Sequence, residues 1–255
     1  MAATPAWQPP TWLLVLSGLA LGILAEFCAE TPPAVLAWAV AQFSAQQLRL
    51  DQGEGGLWSG SGELQWLRQG QAPFPLGRWQ WSAGRSGVLP AWTLSALSGP
   101  LQGGFTVSPG LSGASLAAIA LDGRAESLPS GLGGIDLIHP GGALSLRADR
   151  ITIENQGLSG QGTLAWRQGS SPLVAVAPLG SWRAEWELHQ GRGEYVLITE
   201  AGPLHVEGRG QLQADGHRSL QGRAWSDPAA AATLRPILQM FGPPGPDGSV
   251  VIAQP

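Results

Sequence analysis

Four histidines, one cysteine and a pair of close glutamates are the side chains here that could do chemistry, and their spacing argues against most of it. His139, His189, His205 and His217 form no H-E-x-x-H and no close pair, so the sequence gives no support for zinc. His189 and His205 could approach each other only across strands, and surface or satisfied histidines explain them better. All 14 Lys+Arg residues are arginine. Without lysine, a P-loop and a Schiff-base mechanism are excluded. Neither G-x-G-x-x-G nor G-x-S-x-G occurs, so a dinucleotide site and a nucleophile elbow have no basis. Glu185 and Glu187 share one face of an expected strand. Such a pair can do acid–base work, but exposed polar positions account for it. Trp182 and Trp186 lie on the other face with Ala184, where core packing is preferred over a sugar-stacking platform. Cys28 is alone and cannot form an internal disulfide. No residue is assigned a catalytic, cofactor-binding or metal-binding role, and no cofactor is expected.

The elements that would position these side chains follow from composition and period. The chain has 255 residues, 44% of them apolar, enough for a real core. Only 13% are charged, about half the usual share, and the net charge of −4 is spread thinly. That is no nucleic-acid footprint, so no nucleic-acid partner is expected. The 37 Gly and 21 Pro imply many short elements separated by turns. The 12 Trp suit sheets and wet–dry boundaries, because each ring is apolar with a single N–H.

In chain order, residues 1–10 form a polar, proline-rich lead. Residues 11–28 read as a membrane anchor, built on the uncharged run Thr11 to Ala25 and extended by Phe27 and Cys28. The run is short for a span, but no good signal-peptide cleavage site follows it, so an uncleaved anchor is expected. No Lys or Arg precedes Arg49, which leaves topology unfixed by charge. Residues 31–47 read as a helical stem, with Thr31 as cap and Pro32 at the first helical position. From Leu48 onward the apolar period becomes two, as in Leu48-Arg49-Leu50-Asp51 and Trp182 to Leu188. Residues 48–255 are therefore expected to be mainly β, an antiparallel meander forming an open twisted sheet, partial barrel or sandwich. One C-terminal helix is expected, capped by Asp227, with Pro228 in its first turn and Pro236 kinking or splitting it. A last short strand runs from Gly248 to Ala253.

The stretch that repeats is G-x-G-x-L-x-W. It occurs at Gly60 to Trp66 and Gly160 to Trp166, and in truncated form at Gly208 to Leu212. Leu and Trp two residues apart share one face of a strand, so Leu64, Trp66, Leu164 and Trp166 are expected to face inward.

The order of features resembles the N component of the bacterial type II secretion system. The match is carried by Leu48-Arg49-Leu50 followed by Gly55-Gly56-Leu57-Trp58-Ser59-Gly60, and by Leu179-Gly180-Ser181-Trp182. It continues in Gly202-Pro203-Leu204-His205-Val206-Glu207-Gly208, Ala214-Asp215-Gly216, Leu234 to Leu238, Phe241-Gly242 and Pro246-Asp247-Gly248. The resemblance implies a non-enzymatic accessory part of the export machine, single-pass in the inner membrane with its C-terminal domain in the periplasm. Its implied partners are other inner-membrane secretion subunits and the outer-membrane secretin. A lipid-binding or lipid-transfer protein with an apolar curved sheet is the alternative. A periplasmic carbohydrate-active enzyme is a further rival, without a motif to support it.

Overall fold

A computed structural model describes residues 33–254, except 45, 69, 87–88, 111–112, 130–138, 155–156 and 214–217. The 1–10 lead, the 11–28 anchor, Thr31, Pro32, Asp215-Gly216 and His217 lie outside the described residues. Among those described, no helix is long and apolar enough to cross a membrane. Helix α1 spans Pro33–Phe43, within the expected stem. It runs into β1 (Leu48–Gly55), which starts the meander with β2 (Ser59–Trp66), β3 (Phe74–Ser86), β4 (Leu89–Ser98), β5 (Leu101–Pro109) and β6 (Gly113–Arg124). The meander continues through β7 (Gly141–Glu154), β8 (Gly157–Ser170), β9 (Gly180–His189), β10 (Arg192–Ala201), β11 (Leu204–Leu212), β12 (Arg218–Ser226) and β13 (Val250–Gln254). All 13 strands belong to one sheet in sequential order, so β1 and β13 are its two edges. Every pairing is antiparallel.

The period-two pattern and the register together sort the side chains onto two faces. Leu48 sits opposite Trp66 and Leu50 opposite Leu64. The same face continues through Trp79, Trp81, Leu94 and Phe105. It passes through Leu121, Leu146, Leu164 and Ala184, and ends at Leu204, Ala224 and Val250. The opposite face carries pairs such as Glu63 with Arg78, Asp51 with Glu63, and Glu187 with Glu194. The continuous run Tyr195 to Thr199 departs from alternation, and its Val196 and Ile198 accordingly stand on the polar face, opposite Glu185 and Arg183.

The glycines of the repeat make room for rings. A Cβ on Gly60 would lie 2.5 Å from the Trp81 ring, and one on Gly162 would lie 2.5 Å from the Trp186 ring. Gly210 stands in the same relation to Tyr195. Only a residue without a side chain lets the cross-strand aromatic lie flat over it. The indole N–H groups are used as well. Trp81 donates to the Gly56 carbonyl at 2.9 Å and Trp92 to that of Leu57 at 2.9 Å, tying down the β1–β2 turn. Trp166 donates to Gly141 at 3.0 Å and Trp182 to Leu204 at 3.2 Å. A phenylalanine would leave these carbonyls short of a donor, at greatest cost at Leu204, where the bond is buried.

The C-terminal helix, α2, spans Ala231–Phe241 and follows a 3-10 turn at Pro228–Ala230. Asp227 makes no side-chain cap. Its carboxylate is bonded instead to His205 at 2.9 Å, while its carbonyl accepts the Ala230 N–H at 3.0 Å. Pro236 stays inside one continuous helix. Leu234, Ile237 and Leu238 press onto the apolar face and are at most 5% exposed. They meet Leu179, Trp182, Leu204, Ala224, Val250 and Ile252 in the main core. A smaller cluster forms around Ile119, Ala148 and Ile151.

Candidate docking surface

His189 and His205 are not brought together. His189 ends β9 at the β9–β10 turn, and His205 stands near the far end of β11 beside Trp225. Each has a local partner: His189 contacts Glu187 at 3.0 Å, and His205 contacts Asp227 and stacks on Trp225 at 5.1 Å. Glu185 and Glu187 do share the polar face and are exposed. Arg183 is 3.5 Å from Glu185 and 3.3 Å from Glu200. These carboxylates belong to an ion-paired solvent face. Trp182 is core, and Trp186 is committed to covering Gly162. Among the described residues no group of three His, Cys, Asp or Glu could hold a metal ion. Glu126 is held below the usual carboxylate range mainly by hydrogen bonding from Arg124, on an exposed ion pair. Asp247 is held low by hydrogen bonds from Ser249. Neither group faces a cleft.

The inward expectation for the repeat holds for Leu64, Trp66 and Trp166, which are half-buried. Trp166 packs against Trp182 with ring centroids 4.9 Å apart. Leu164 stands on the same apolar face but is 44% exposed, since among the described residues no element covers it. Ile153, also on that face, is 38% exposed.

The two edges differ. The β1 edge is interrupted by a bulge between Asp51 and Glu54, where Gln52 has φ 49°, and α1 packs against it. On the β13 edge Pro244 bridges to Val250, and Gly242 lies beside Val250 and Val251. Val251 is 71% exposed, and among the described residues no strand lies outside it.

A second repeat, longer than G-x-G-x-L-x-W, emerges from the register. Pro75-Leu76-Gly77-Arg78-Trp79 and Gly99-Pro100-Leu101 match Pro178-Leu179-Gly180-Ser181-Trp182 and Gly202-Pro203-Leu204. In both copies the two glycines touch across neighbouring strand ends: Gly77 against Gly99, and Gly180 against Gly202. Gly99 has φ 122° and Gly202 φ 106°, a backbone that excludes side chains. The units β2–β5 and β8–β11 are thus two copies of one four-stranded design. The signal was legible as the spacing between P-L-G-x-W and G-P-L.

The described residues form a single amphipathic antiparallel sheet with one C-terminal helix on its apolar face. Comparison identifies the class: residues 46–253 match the family model of type II secretion system (T2SS) protein N. The chain belongs to that family, which is a component of secretion machinery and not a known enzyme family. No curated protein and no solved structure matches the chain significantly. Much of the resemblance turns out to be structural. Leu179, Trp182, Leu204, Leu234 and Leu238 come from separate motifs and converge in the main core.

Proposed function

We propose that the chain is a non-enzymatic accessory component of the type II secretion machinery that docks to other secretion subunits through its β domain. The observation that carries this is the β13 edge. Among the described residues no strand pairs with β13 beyond the Val250 bridge, while a bulge interrupts β1 and α1 packs beside it. An open edge of this kind pairs by adding a strand, with main-chain hydrogen bonds supplying affinity. The N-terminal apolar run would confine the domain to the inner membrane, with the domain on the periplasmic side, and raise the effective concentration of partners there. Other inner-membrane subunits and the outer-membrane secretin are the partners this reading names. A photo-crosslinker at Val251 or Ala253, in the native cell envelope, should trap a secretion subunit. One at Gln161, in the middle of the polar face, should not. Absence of any secretion subunit from the edge adducts would sink the reading.

A second reading, lipid binding, is favoured by one observation: the apolar face is continuous across the sheet and uncovered at Leu164 and Ile153. Acyl chains fit such a surface. Phospholipid copurifying in stoichiometric amount would promote this reading, and lipid-free protein would remove it.

A further inference from the structure

The β13 edge leaves a partner little main chain to pair with. Pro244 bridges to Val250, and the Gly245 N–H donates to the Ser249 carbonyl at 2.7 Å. What remains of β13 is Ile252 to Gln254. A strand added over so short a run makes few hydrogen bonds, so side chains beside it must supply most of the contact. One face of β13 cannot supply it, because Val250 and Ile252 are buried in the main core with α2. The contact therefore falls to the polar face, where Val251 is 71% exposed. No other large apolar side chain among the described residues is as exposed. Arg223 stands opposite Val251 on β12, and its guanidinium lies over the Trp225 ring at 4.7 Å. Trp225 is on the polar face because Ala224 beside it points into the main core. His205, opposite Trp225 on β11, stacks on the ring at 5.1 Å with the planes 9° apart. Trp79, Trp81 and Trp182, by contrast, are buried on the apolar face. Arg223 is also uncommitted. Arg49, Arg78, Arg124, Arg147 and Arg183 are each in an ion pair. Glu207 stands opposite Arg223 on β11, yet among the described residues no carboxylate is within ion-pair distance of that guanidinium. Asp227 is taken by His205, and Asp247 by Ser249.

We infer that Val251, Trp225 and Arg223 form the side-chain contact of the β13 docking site, and that its partner is an extended segment carrying an aliphatic residue and a carboxylate. The segment pairs with Ile252 to Gln254, lays its aliphatic side chain on Val251 and against Trp225, and sets its carboxylate on the Arg223 guanidinium. Covering Val251 removes apolar area from water. Tryptophan and arginine are the residue types at which binding energy concentrates. An arginine already stacked on a ring loses little freedom when it takes up a carboxylate, and it can hold that carboxylate through two N–H groups. The inference rests on the docking reading, and the test separates the two.

A photo-crosslinker at Ala253, on the same edge, reads docking by the full chain in the native cell envelope, with the adduct identified by mass spectrometry. Val251→Asp and Arg223→Glu are then introduced singly. Both change exposed side chains and should preserve the fold by circular dichroism. Each is expected to lower the yield of the secretion-subunit adduct about tenfold or more. Arg192→Glu makes the same charge change at the start of β10 and should leave the yield unaltered. An undiminished adduct in Val251→Asp and Arg223→Glu overturns this inference and leaves the docking reading standing. An equal loss in Arg192→Glu also overturns it, since overall charge would then be responsible. The crosslinked peptide of the partner should carry Asp or Glu close to the attachment point, and a peptide without one overturns the acidic partner. Changing that carboxylate to arginine should restore the adduct of Arg223→Glu, and failure to restore it counts against the pairing. If the unaltered chain traps no secretion subunit at Ala253, the docking reading itself falls, and this inference with it.

Discussion

The two copies of P-L-G-x-W and G-P-L are locally alike and globally different. In β8–β11, Leu179 is 1% exposed and Leu204 4%, because α2 lies over them with Leu234 at 0%. In β2–β5, their counterparts Leu76 and Leu101 are only half-buried, although the same glycine contact holds the strand ends together. The glycine contact is a property of two short sequences meeting at neighbouring strand ends. The burial is a property of what is laid on top. Roughly 25 cal/mol is gained for each Å² of apolar surface removed from water, so the covered copy carries more of the fold's stability than the half-covered one.

The comparison is broken most directly through the cover. Leu234→Ala should cost about 3–4 kcal/mol in denaturant melts, as expected for a fully buried leucine. Leu76→Ala, in the half-covered copy, should cost about 1 kcal/mol. Equal losses would mean that the first copy is as tightly packed as the second. The shared part is sharpened next. Gly202→Ala and Gly99→Ala should destabilise similarly, by about 2 kcal/mol each, since both need a positive φ and both would push a Cβ into a facing glycine. A neutral Gly99→Ala would show that the two contacts are not equivalent. Between the covered and uncovered parts of the apolar face, Trp166→Ala should cost about 2 kcal/mol, while Leu164→Ala stays within about 0.5 kcal/mol. A costly Leu164→Ala would reveal a cover over that residue.

The smallest expected effect lies in the connection that carries α2. Asp247 accepts from the Ser249 hydroxyl at 2.8 Å and its N–H at 3.1 Å, which depresses the folded carboxyl below its ordinary 3.8. A depressed folded pKa contributes stability that is present above the ordinary value and lost as pH falls through the folded one. Asp247 is fully solvent-exposed, so the contribution is slight. Ser249→Ala should therefore leave stability near neutral pH almost unchanged and flatten its fall as pH drops below the ordinary carboxyl value. A steeper acid loss in the variant would reverse the assignment.

Period two was enough to read the antiparallel strands and their two faces, and cap and proline signals the C-terminal helix, because each depends on neighbours within a few residues. Leu48 to Asp51 and Trp182 to Leu188 alternate so regularly that their faces could not be exchanged without burying arginine and glutamate. Capping of α2 was misread at Asp227, since a carboxylate suited to a helix start also suits a histidine from another strand. Leu164 shows the other limit. Its face is set by the residues beside it, but its exposure is set by whether a distant segment lies over it, and no local pattern encodes that.

What the sequence by itself determined is therefore local: strand after strand, apolar to one side, and glycines where rings must lie. What only the tertiary structure decided is which copy of a repeated motif is covered and which strands form the edges of the sheet. The physical reason is that alternation and turn geometry act over a few residues, whereas covering a surface requires a segment distant in the chain to arrive there. Helix α2 reaches Leu179 and Leu204 in this way.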